Sequence, residues 1–446
     1  MRPKSRDFHT AWARSCRRLA DRRSGPMVAE FSAAQAAGET QLSSSVHASK
    51  TRPQAADCDT VRQCGPASML AALLEDLLFP ASTARIAGFD GLRAIAFLLV
   101  FVSHKVPTAL ADRYGTGGVW IFFVLSGFLI TRILVRSREK IEAGNSSHRA
   151  ELASFYTRRT ARIFPVYYTF LAALTLLAVL GLIDIGEPPR QASNWLYVSN
   201  IYIERWGWRT DLGHLWSLAV EEQFYLLFAP LVLLLPRSRL PDLCVTLIVL
   251  SIATHAIMLW RGSWHISFEI SSLVNFGLMA TGGLAGLAAD RPLPKQLQGS
   301  FPLIVTLATV LAAPALFPDI DSWAHFGRIP AVLMALSLVQ IYQDQSGRVV
   351  RILEVPPLRG LGIISYGTYL FHPVIKSNTL LHLVGFSGDI RHSAAMLLDL
   401  LLTVAFAWTS YLLLERPIRN AVLSVSTNDR QRATTTSISR HTRAAK

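Results

Sequence analysis

The chain has 446 residues and a formal net charge of +14, with 51% hydrophobic and 17% charged residues. A soluble domain carries nearer to a quarter charged residues, so this composition excludes an ordinary soluble protein. The basic residues lie mainly in the tails and in the loops on one side of the apolar segments. Their excess therefore indicates membrane orientation and attraction to anionic lipid rather than nucleic-acid binding.

Apolar segments of membrane length follow one another between polar, basic ends. Residues 1–65 lack apolar periodicity and are predicted to be disordered, and residues 66–84 to form a short amphipathic segment at the membrane interface. Residues 85–418 are predicted to form the membrane domain, and residues 419–446 a second disordered basic tail. The predicted fold class is all-α, a polytopic transmembrane helical bundle of about ten spans with both termini cytoplasmic. The predicted spans are 86–106, 117–135, 163–183, 215–236, 241–260, 268–289, 301–317, 329–345, 358–383 and 393–414.

Arg93 and His104 both lie within the first predicted span. Eleven steps of about 100° return a helix to within roughly 20° of its starting direction, about 16 Å further along, so both side chains are predicted to point the same way. Ionisable groups at membrane depth are energetically expensive and are therefore candidates for function. The structural alternatives are an interfacial anchor for Arg93 and a histidine hydrogen-bonded to a backbone carbonyl at a helix end for His104.

Further motifs follow in a fixed order between residues 85 and 418. They are Phe89-Asp-Gly-Leu-Arg-Ala-Ile-Ala with His104, Gly118-Val-Trp-Ile-Phe-Phe-Val-Leu-Ser-Gly-Phe-Leu-Ile-Thr131, Phe155-Tyr-Thr-Arg-Arg-Thr-Ala-Arg-Ile-Phe-Pro-Val-Tyr-Tyr168, His214-Leu-Trp-Ser-Leu-Ala-Val-Glu-Glu-Gln-Phe-Tyr225, Leu361-Gly-Ile-Ile-Ser-Tyr-Gly-Thr-Tyr-Leu-Phe-His372 and Glu415-Arg-Pro417. As a set, these motifs resemble the acyltransferase-3 family of integral membrane O-acyltransferases. The resemblance implies transfer of an acyl group, usually acetyl from cytoplasmic acetyl-CoA, to a hydroxyl of an extracytoplasmic glycan or glycolipid. It also implies a multi-pass protein of the cell inner (plasma) membrane.

His104 and Glu221 are the predicted catalytic residues. An imidazole titrates near neutrality, so His104 can act as the general base on the acceptor hydroxyl. In the fourth predicted span His214, Ser217, Glu221 and Tyr225 recur at helical spacing and form one stripe. On this stripe Glu221 either polarises His104 or binds acceptor hydroxyls, and a structural hydrogen bond to another helix is the alternative.

Four arginines are predicted to bind the acyl-CoA donor: Arg93, Arg158, Arg159 and Arg162. A guanidinium group matches phosphate geometry, so the last three, placed in the loop before the third span, form a candidate phosphate clamp. Setting the membrane topology is an equally open role for those three. Arg93 is predicted to meet the phosphates or the amide-rich arm of the donor while the acyl end reaches His104, and Asp90 is positioned to pair with it one turn away.

Glu222, Tyr369 and His372 are predicted to bind the acceptor. Tyr369 and His372 lie on one stripe of the ninth span with Ser365, and His372 is expected at a depth comparable to that of His104. A packed structural histidine is the alternative for His372. Ser126-Gly127 in the second span is expected to permit close helix packing or a kink rather than to supply a nucleophile.

The predicted partners are acyl-CoA, a glycan or lipid-linked saccharide acceptor and the lipid bilayer, without nucleic acid. The four cysteines show neither metal-ligand nor disulfide spacing, so no metal is expected. A transporter or flippase of a glycan or lipid precursor is the alternative function, although the inverted repeats typical of transporters are not found. A non-enzymatic scaffold is a third hypothesis, and it leaves the buried Arg, His and Glu set unexplained.

Overall fold

The computed structural model describes residues 85–208, 212–262, 265–326, 328–383 and 387–422, and the described part is helical and without strands. From Ile86 onward these residues belong to one compact unit. The predictions of a disordered tail at 1–65 and of an interfacial segment at 66–84 fall outside the described residues, as does most of the predicted tail at 419–446.

The helices are numbered here in chain order. They are α1 (Phe89–Lys105), α2 (Ala109–Glu142), α3 (His148–Val179), α4 (Pro188–Trp195), α5 (Ser199–Trp206), α6 (Leu215–Leu234), α7 (Leu240–Trp260), α8 (His265–Ile270), α9 (Ser272–Ala288), α10 (Ser300–Leu316), α11 (Ile320–Phe326), α12 (Ile329–Gln343), α13 (Arg348–Leu353), α14 (Pro356–Ile363), α15 (Ser365–Phe371), α16 (Asn378–Leu383) and α17 (Gly388–Ser410). A π-helical turn, Tyr411–Glu415, continues α17.

Five helical stretches in the described part of the chain are long and apolar enough to cross a membrane; they contain α2, α3, α6, α7 and α17. The apolar helices α9, α10 and α12 are shorter. For the described residues an all-helical fold with five candidate membrane spans is therefore confirmed, while the total of about ten spans and the cytoplasmic location of both termini stay predictions.

α2 and α3 are longer than the spans predicted for them, 117–135 and 163–183. Thr108 caps α2 by accepting a hydrogen bond from the backbone N–H of Ala111 at 3.2 Å, and Ser147 caps α3 in the same way through Ala150. A capping side chain stabilises the first turn, so each helix begins well before its apolar part. The 34 residues of α2 extend about 51 Å, which exceeds the roughly 30 Å of a hydrocarbon core.

The predicted ninth span, 358–383, is not one continuous helix. α14 and α15 meet at Ile364, and the chain is non-helical from His372 to Ser377 before α16 begins. His372 still has helical dihedral angles, φ −58° and ψ −32°, but Pro373 lacks the backbone N–H that would continue the hydrogen-bond ladder, so the helix ends there. His372 consequently lies at the end of a short helix and not in the middle of a span.

α2 occupies the centre of the fold and packs against α1, α6, α9 and α12. Glycines permit the closest of these approaches. A Cβ atom on Gly127 would lie 1.8 Å from the carbonyl oxygen of Met279, and one on Gly282 would lie 1.9 Å from that of Val124. The close helix packing expected at Gly127 is thus confirmed, and its partner is α9.

An ion pair joins α2 to the end of α9. Arg132 hydrogen-bonds both to Asp290 and to the hydroxyl of Tyr342 on α12. The hydrogen bond from Arg132 holds the pKa of Asp290 below its usual range. This network fixes one end of the α2, α9 and α12 bundle.

Candidate active site

The C-terminal half of α1 presents a row of rings to the histidine that ends α15. The ring centroids of Phe97, Phe101 and His104 lie 5.9, 6.4 and 4.8 Å from that of His372. Successive members of this row are four and three residues apart, as expected for one face of a helix. Arg93 precedes Phe97 by four residues and continues the same row.

Backbone carbonyls fix which nitrogen of each histidine carries the proton. His104 Nδ1 lies 2.9 Å from the carbonyl oxygen of Val100, and His372 Nδ1 lies 2.7 Å from that of Tyr369. A carbonyl oxygen only accepts hydrogen bonds, so both Nδ1 atoms are donors in the neutral rings.

The same protonation of Nδ1 decides which ring donates and which accepts where His104 and His372 meet. His372 Nε2 lies 3.4 Å from His104 Nδ1, so His372 Nε2 is the acceptor there and His104 Nε2 keeps a free lone pair. His104 is exposed, whereas His372 has 0% of its surface exposed. Of these two rings, His104 is the one that offers a proton-accepting nitrogen to a substrate.

A third histidine, which the sequence prediction did not include among the site residues, backs this pair. The ring of His214 lies 5.6 Å from that of His372, and its Nε2 donates to the carbonyl oxygen of Leu370 at 3.2 Å. Ser217 and Tyr369 hydroxyls are 2.6 Å apart and both lie near the carbonyl oxygen of His214. The helical spacing of His214 and Ser217 was the available signal, but α15 as their partner was not visible in the sequence.

Glu221 lies further along α6, in a separate hydrogen-bonded group. Its carboxylate accepts a hydrogen bond from Ser126 Oγ on α2 at 2.5 Å, and Tyr225 donates to the same Ser126 at 3.2 Å. Seven residues separate Glu221 from His214, which is about 10 Å along a helix. The structure therefore places Glu221 against Ser126 and not against His104.

Three of the four predicted donor-binding arginines come together near Glu221. Arg159 and Arg162 both interact electrostatically with Glu221, and Arg162 also interacts with Arg93. Arg93 in addition forms the expected ion pair with Asp90, at 2.7 Å. Arg93, Arg159 and Arg162, with the carboxylates beside them, are called the arginine cluster here. This cluster lies at the end of α1 opposite to His104.

Arg158, one turn before Arg162 on α3, has further partners on its own helix. It hydrogen-bonds to Ser154 one turn earlier on α3 and interacts electrostatically with Glu151. The three arginines were expected in a loop, but they lie within α3, where neighbouring residues point in directions about 100° apart. Arg158 and Arg162, four residues apart, still point within about 40° of each other, and what differs between them is their partners.

Glu222 interacts electrostatically with Arg159 and Glu221, and also with a group of tyrosines. These are Tyr156, Tyr167, Tyr168, Tyr197 and Tyr366. Tyr197 stacks on Tyr167 at 4.3 Å and has a φ of 54°, in the left-handed region that non-glycine residues seldom adopt. Glu222 therefore lies within electrostatic range of both the arginines and the tyrosines.

Tyr369 links the three histidines, His104, His214 and His372, to the arginines around Glu221. Its ring is 5.6 Å from that of His372, and it interacts electrostatically with Glu221. Polar groups therefore lie at intervals beside α1 between Arg93 and His104, which are roughly 16 Å apart. Among the described residues, no group of three or more histidine, cysteine or acidic side chains is placed to hold a metal ion.

Comparison with known families supports the resemblance seen in the motifs. The model of the acyltransferase-3 family, described as an acyltransferase domain, matches residues 86–415. The matched segment contains the three histidines and the arginine cluster.

The chain is also similar to curated bacterial proteins. It is 30% identical over 359 residues to the O-acetyltransferase OatA of Staphylococcus aureus (strain NCTC 8325 / PS 47), covering 74% of this chain and 57% of that protein. It is 29% identical over 367 residues to the putative peptidoglycan O-acetyltransferase YrhL of Bacillus subtilis (strain 168), covering 75% of this chain and 55% of YrhL. The chain thus spans little more than half the length of these relatives. No solved structure matches it.

Proposed function

The chain belongs to the acyltransferase-3 family, and from this membership we propose that it moves an acyl group, in the first instance acetyl, from cytoplasmic acyl-CoA to a hydroxyl of an extracytoplasmic glycan. The observation that carries the proposal is the exposed His104, whose Nε2 is left as a proton acceptor by the contacts of Val100 and His372 with its Nδ1. General base catalysis requires a group of this kind within reach of the acceptor hydroxyl.

The proposed reaction is a direct transfer. His104 Nε2 accepts the proton of the acceptor hydroxyl while the oxygen attacks the thioester carbonyl. The carbon–sulfur bond then breaks, and the thiolate of CoA leaves and takes up the proton from the imidazolium. A thiol has a pKa near 8.5, so the leaving group needs little further activation.

In this proposal the arginine cluster holds the donor. Arg93, Arg159 and Arg162 offer three guanidinium groups, whose geometry suits the phosphates of CoA, beside the carboxyl groups of Asp90, Glu221, Glu222 and Glu415. The polar groups between Arg93 and His104 run for roughly 16 Å beside α1, a path suited to an extended pantetheine arm. Ser126, Glu221 and Tyr369 offer hydrogen-bonding partners along that path.

The proposed orientation puts donor and acceptor on opposite sides of the membrane. About ten spans with both termini in the cytoplasm place the arginine-rich end of α1 inside and His104 toward the outer face. The protein then lies in the cell inner (plasma) membrane. Glu222, with its group of tyrosines, and the chain around Tyr369 and His372 are the proposed contacts on the acceptor side.

The names of the relatives narrow the proposed acceptor. YrhL and the OatA of Listeria monocytogenes, which is 27% identical over 316 residues, are both named as peptidoglycan O-acetyltransferases. We therefore propose a cell-wall glycan as the acceptor of this chain, although its match extends over only part of those proteins.

Replacing His104 tests the proposal. We expect His104→Ala to lower the transfer of label from acetyl-CoA to ester-linked glycan in membrane vesicles by roughly 10²- to 10⁴-fold, the usual contribution of a general base. The abundance of the protein in the membrane should not change, because the ring is exposed. The matched control is His392→Ala, which removes another exposed histidine, on α17. Activity of His104→Ala close to that of the control would refute the assignment.

A further inference from the structure

A buried ion pair lies directly beside the proposed base. Lys105 follows His104 in the last turn of α1, and its Nζ lies 2.6 Å from Asp399 Oδ2 on α17, with side-chain exposures of 11% and 5%. A lysine at the end of a membrane helix usually extends its ammonium group to the interface. Here the ammonium group is directed inward to a carboxylate within an apolar helix.

Both members of the pair also bind the chain that follows His372. Lys105 Nζ donates to the carbonyl oxygen of Ile375 at 2.7 Å, and Asp399 Oδ1 accepts from the backbone N–H of Ser377 at 2.8 Å. Residues 372–377 are non-helical, so their backbone groups need partners outside regular structure. Lys105 and Asp399 supply these partners from two different helices.

The connections of this pair therefore lead to both catalytic-site rings. Lys105 is the neighbour of His104, and the segment it holds begins at His372. The contact of 3.4 Å between His104 Nδ1 and His372 Nε2 depends on the relative position of these two stretches of chain. A shift of about 1 Å in such a contact can cost 10²-fold in rate.

We propose that Lys105 and Asp399 are positioning residues, which fix residues 372–377 against the end of α1 so that His372 holds His104 with its Nε2 free. This inference rests on the proposed function of His104. It adds a role for two residues that neither touch the reacting atoms nor belong to the arginine cluster.

Stability alone is a poor explanation for the pair. Replacing a buried ion pair by apolar residues of similar size is often neutral or stabilising, whereas removing one partner leaves an unpaired charge and is strongly destabilising. A merely structural pair can therefore be replaced as a unit without loss of activity. A positioning pair cannot, because apolar side chains do not bind the backbone of Ile375 and Ser377.

The test compares single and double variants of the full-length protein in membrane vesicles, with radiolabelled acetyl-CoA as the donor and the glycan of the vesicles as the acceptor. The variants are Lys105→Met, Asp399→Asn and the double variant Lys105→Met/Asp399→Leu. We expect the double variant to be less destabilised than either single variant, because it leaves no unpaired charge, while its kcat falls by roughly 10- to 100-fold. Its KM for acetyl-CoA should stay within about twofold, since the arginine cluster is distant. The single variants should lose at least as much activity, and also stability.

The control for charge removal is Asp242→Asn. It breaks the ion pair of Arg239 and Asp242, whose side chains are 70% and 64% exposed, and wild-type activity is expected because exposed pairs contribute little. A double variant with wild-type kcat would overturn the positioning role. His104→Ala is measured in parallel: if it is active, the proposed function fails, whereas an inactive His104→Ala beside a fully active double variant refutes the positioning role alone.

Discussion

At the scale of single residues, the orientation of one imidazole decides what the site can do. A neutral histidine has one donor and one acceptor nitrogen, and only the acceptor can take a proton from a hydroxyl. In His104 the carbonyl oxygen of Val100 occupies Nδ1, with His372 beside it. The free acceptor is therefore Nε2, the nitrogen pointing away from both partners.

The roles of the arginines on α3 can be tested by single substitutions. The sequence left two roles open for them, phosphate binding and setting of topology, and in the structure Arg158 and Arg162 have different partners. We expect Arg162→Lys to raise the KM for acetyl-CoA roughly tenfold, because lysine keeps the charge but loses the planar pair of donors. Steady-state kinetics in membrane vesicles would measure this change.

Arg158→Lys is the matched control for that experiment. It makes the same conservative change on the same helix, at a residue that binds Ser154 and interacts with Glu151. An unchanged KM is expected. Equal effects of the two substitutions would contradict the proposal that Arg162 meets the donor and Arg158 does not.

At the scale of helices, the site depends on a close crossing of α2 and α9. Ser126, which binds Glu221, immediately precedes Gly127, where the backbone of Met279 is in contact. Gly282 lies on the other side of the same crossing, against Val124. Any side chain at these glycines would separate the helices and move Ser126.

We therefore expect Gly282→Ala to lower the thermal stability of the purified protein in detergent. Its Cβ would lie 1.9 Å from a backbone oxygen, and overpacking of this kind typically costs about 1–3 kcal/mol. Gly117→Ala, on α2, is the control, since its Cβ would meet only a side-chain atom of Trp323 at 3.3 Å. A melting temperature of Gly282→Ala equal to that of the control would show that the crossing is more adaptable than described.

The break between α15 and α16 belongs to the same scale. A continuous ninth span would carry His372 in the middle of a helix, with its backbone N–H and carbonyl groups bonded within that helix. The non-helical stretch 372–377 instead exposes backbone groups, and Lys105 and Asp399 bind two of them. Irregular backbone at membrane depth requires partners of this kind within the protein.

At the scale of the whole molecule, the proposed reaction requires donor and acceptor to approach from opposite faces. The polar groups between Arg93 and His104 lie beside α1 for most of its length, and α1 is a single uninterrupted helix of 17 residues. One helix thus connects the proposed donor end and the proposed acceptor end of the site.

The orientation can be tested by labelling single cysteines introduced into a cysteine-free variant of the protein. We expect Glu187→Cys, before α4, to react with a membrane-impermeant maleimide in intact cells, because the predicted topology places it outside. Asn145→Cys, between α2 and α3, should react only after the membrane is permeabilised. Both positions are exposed, so the two should label equally in detergent. Labelling of Asn145→Cys in intact cells would refute the orientation.

Much of this molecule followed from the sequence. Apolar segments near the length of a bilayer predicted an all-helical membrane fold, because the backbone can satisfy its hydrogen bonds within lipid only as a helix or a closed barrel. The spacing of Asp90 and Arg93 predicted their ion pair, which the structure confirms. Such relations are local, and the periodicity of the helix is enough to define them.

Tertiary structure alone decided which of these residues meet. The sequence did not show that His214 lies beside His372, that Glu221 is bound to Ser126, or that Asp399 reaches Lys105, 294 residues away in the chain. Contacts of this kind depend on how the helices pack against one another, and close packing is set by the shapes of many side chains at once. The sequence determined the helices and the chemistry available on each, whereas their packing determined which groups share a site.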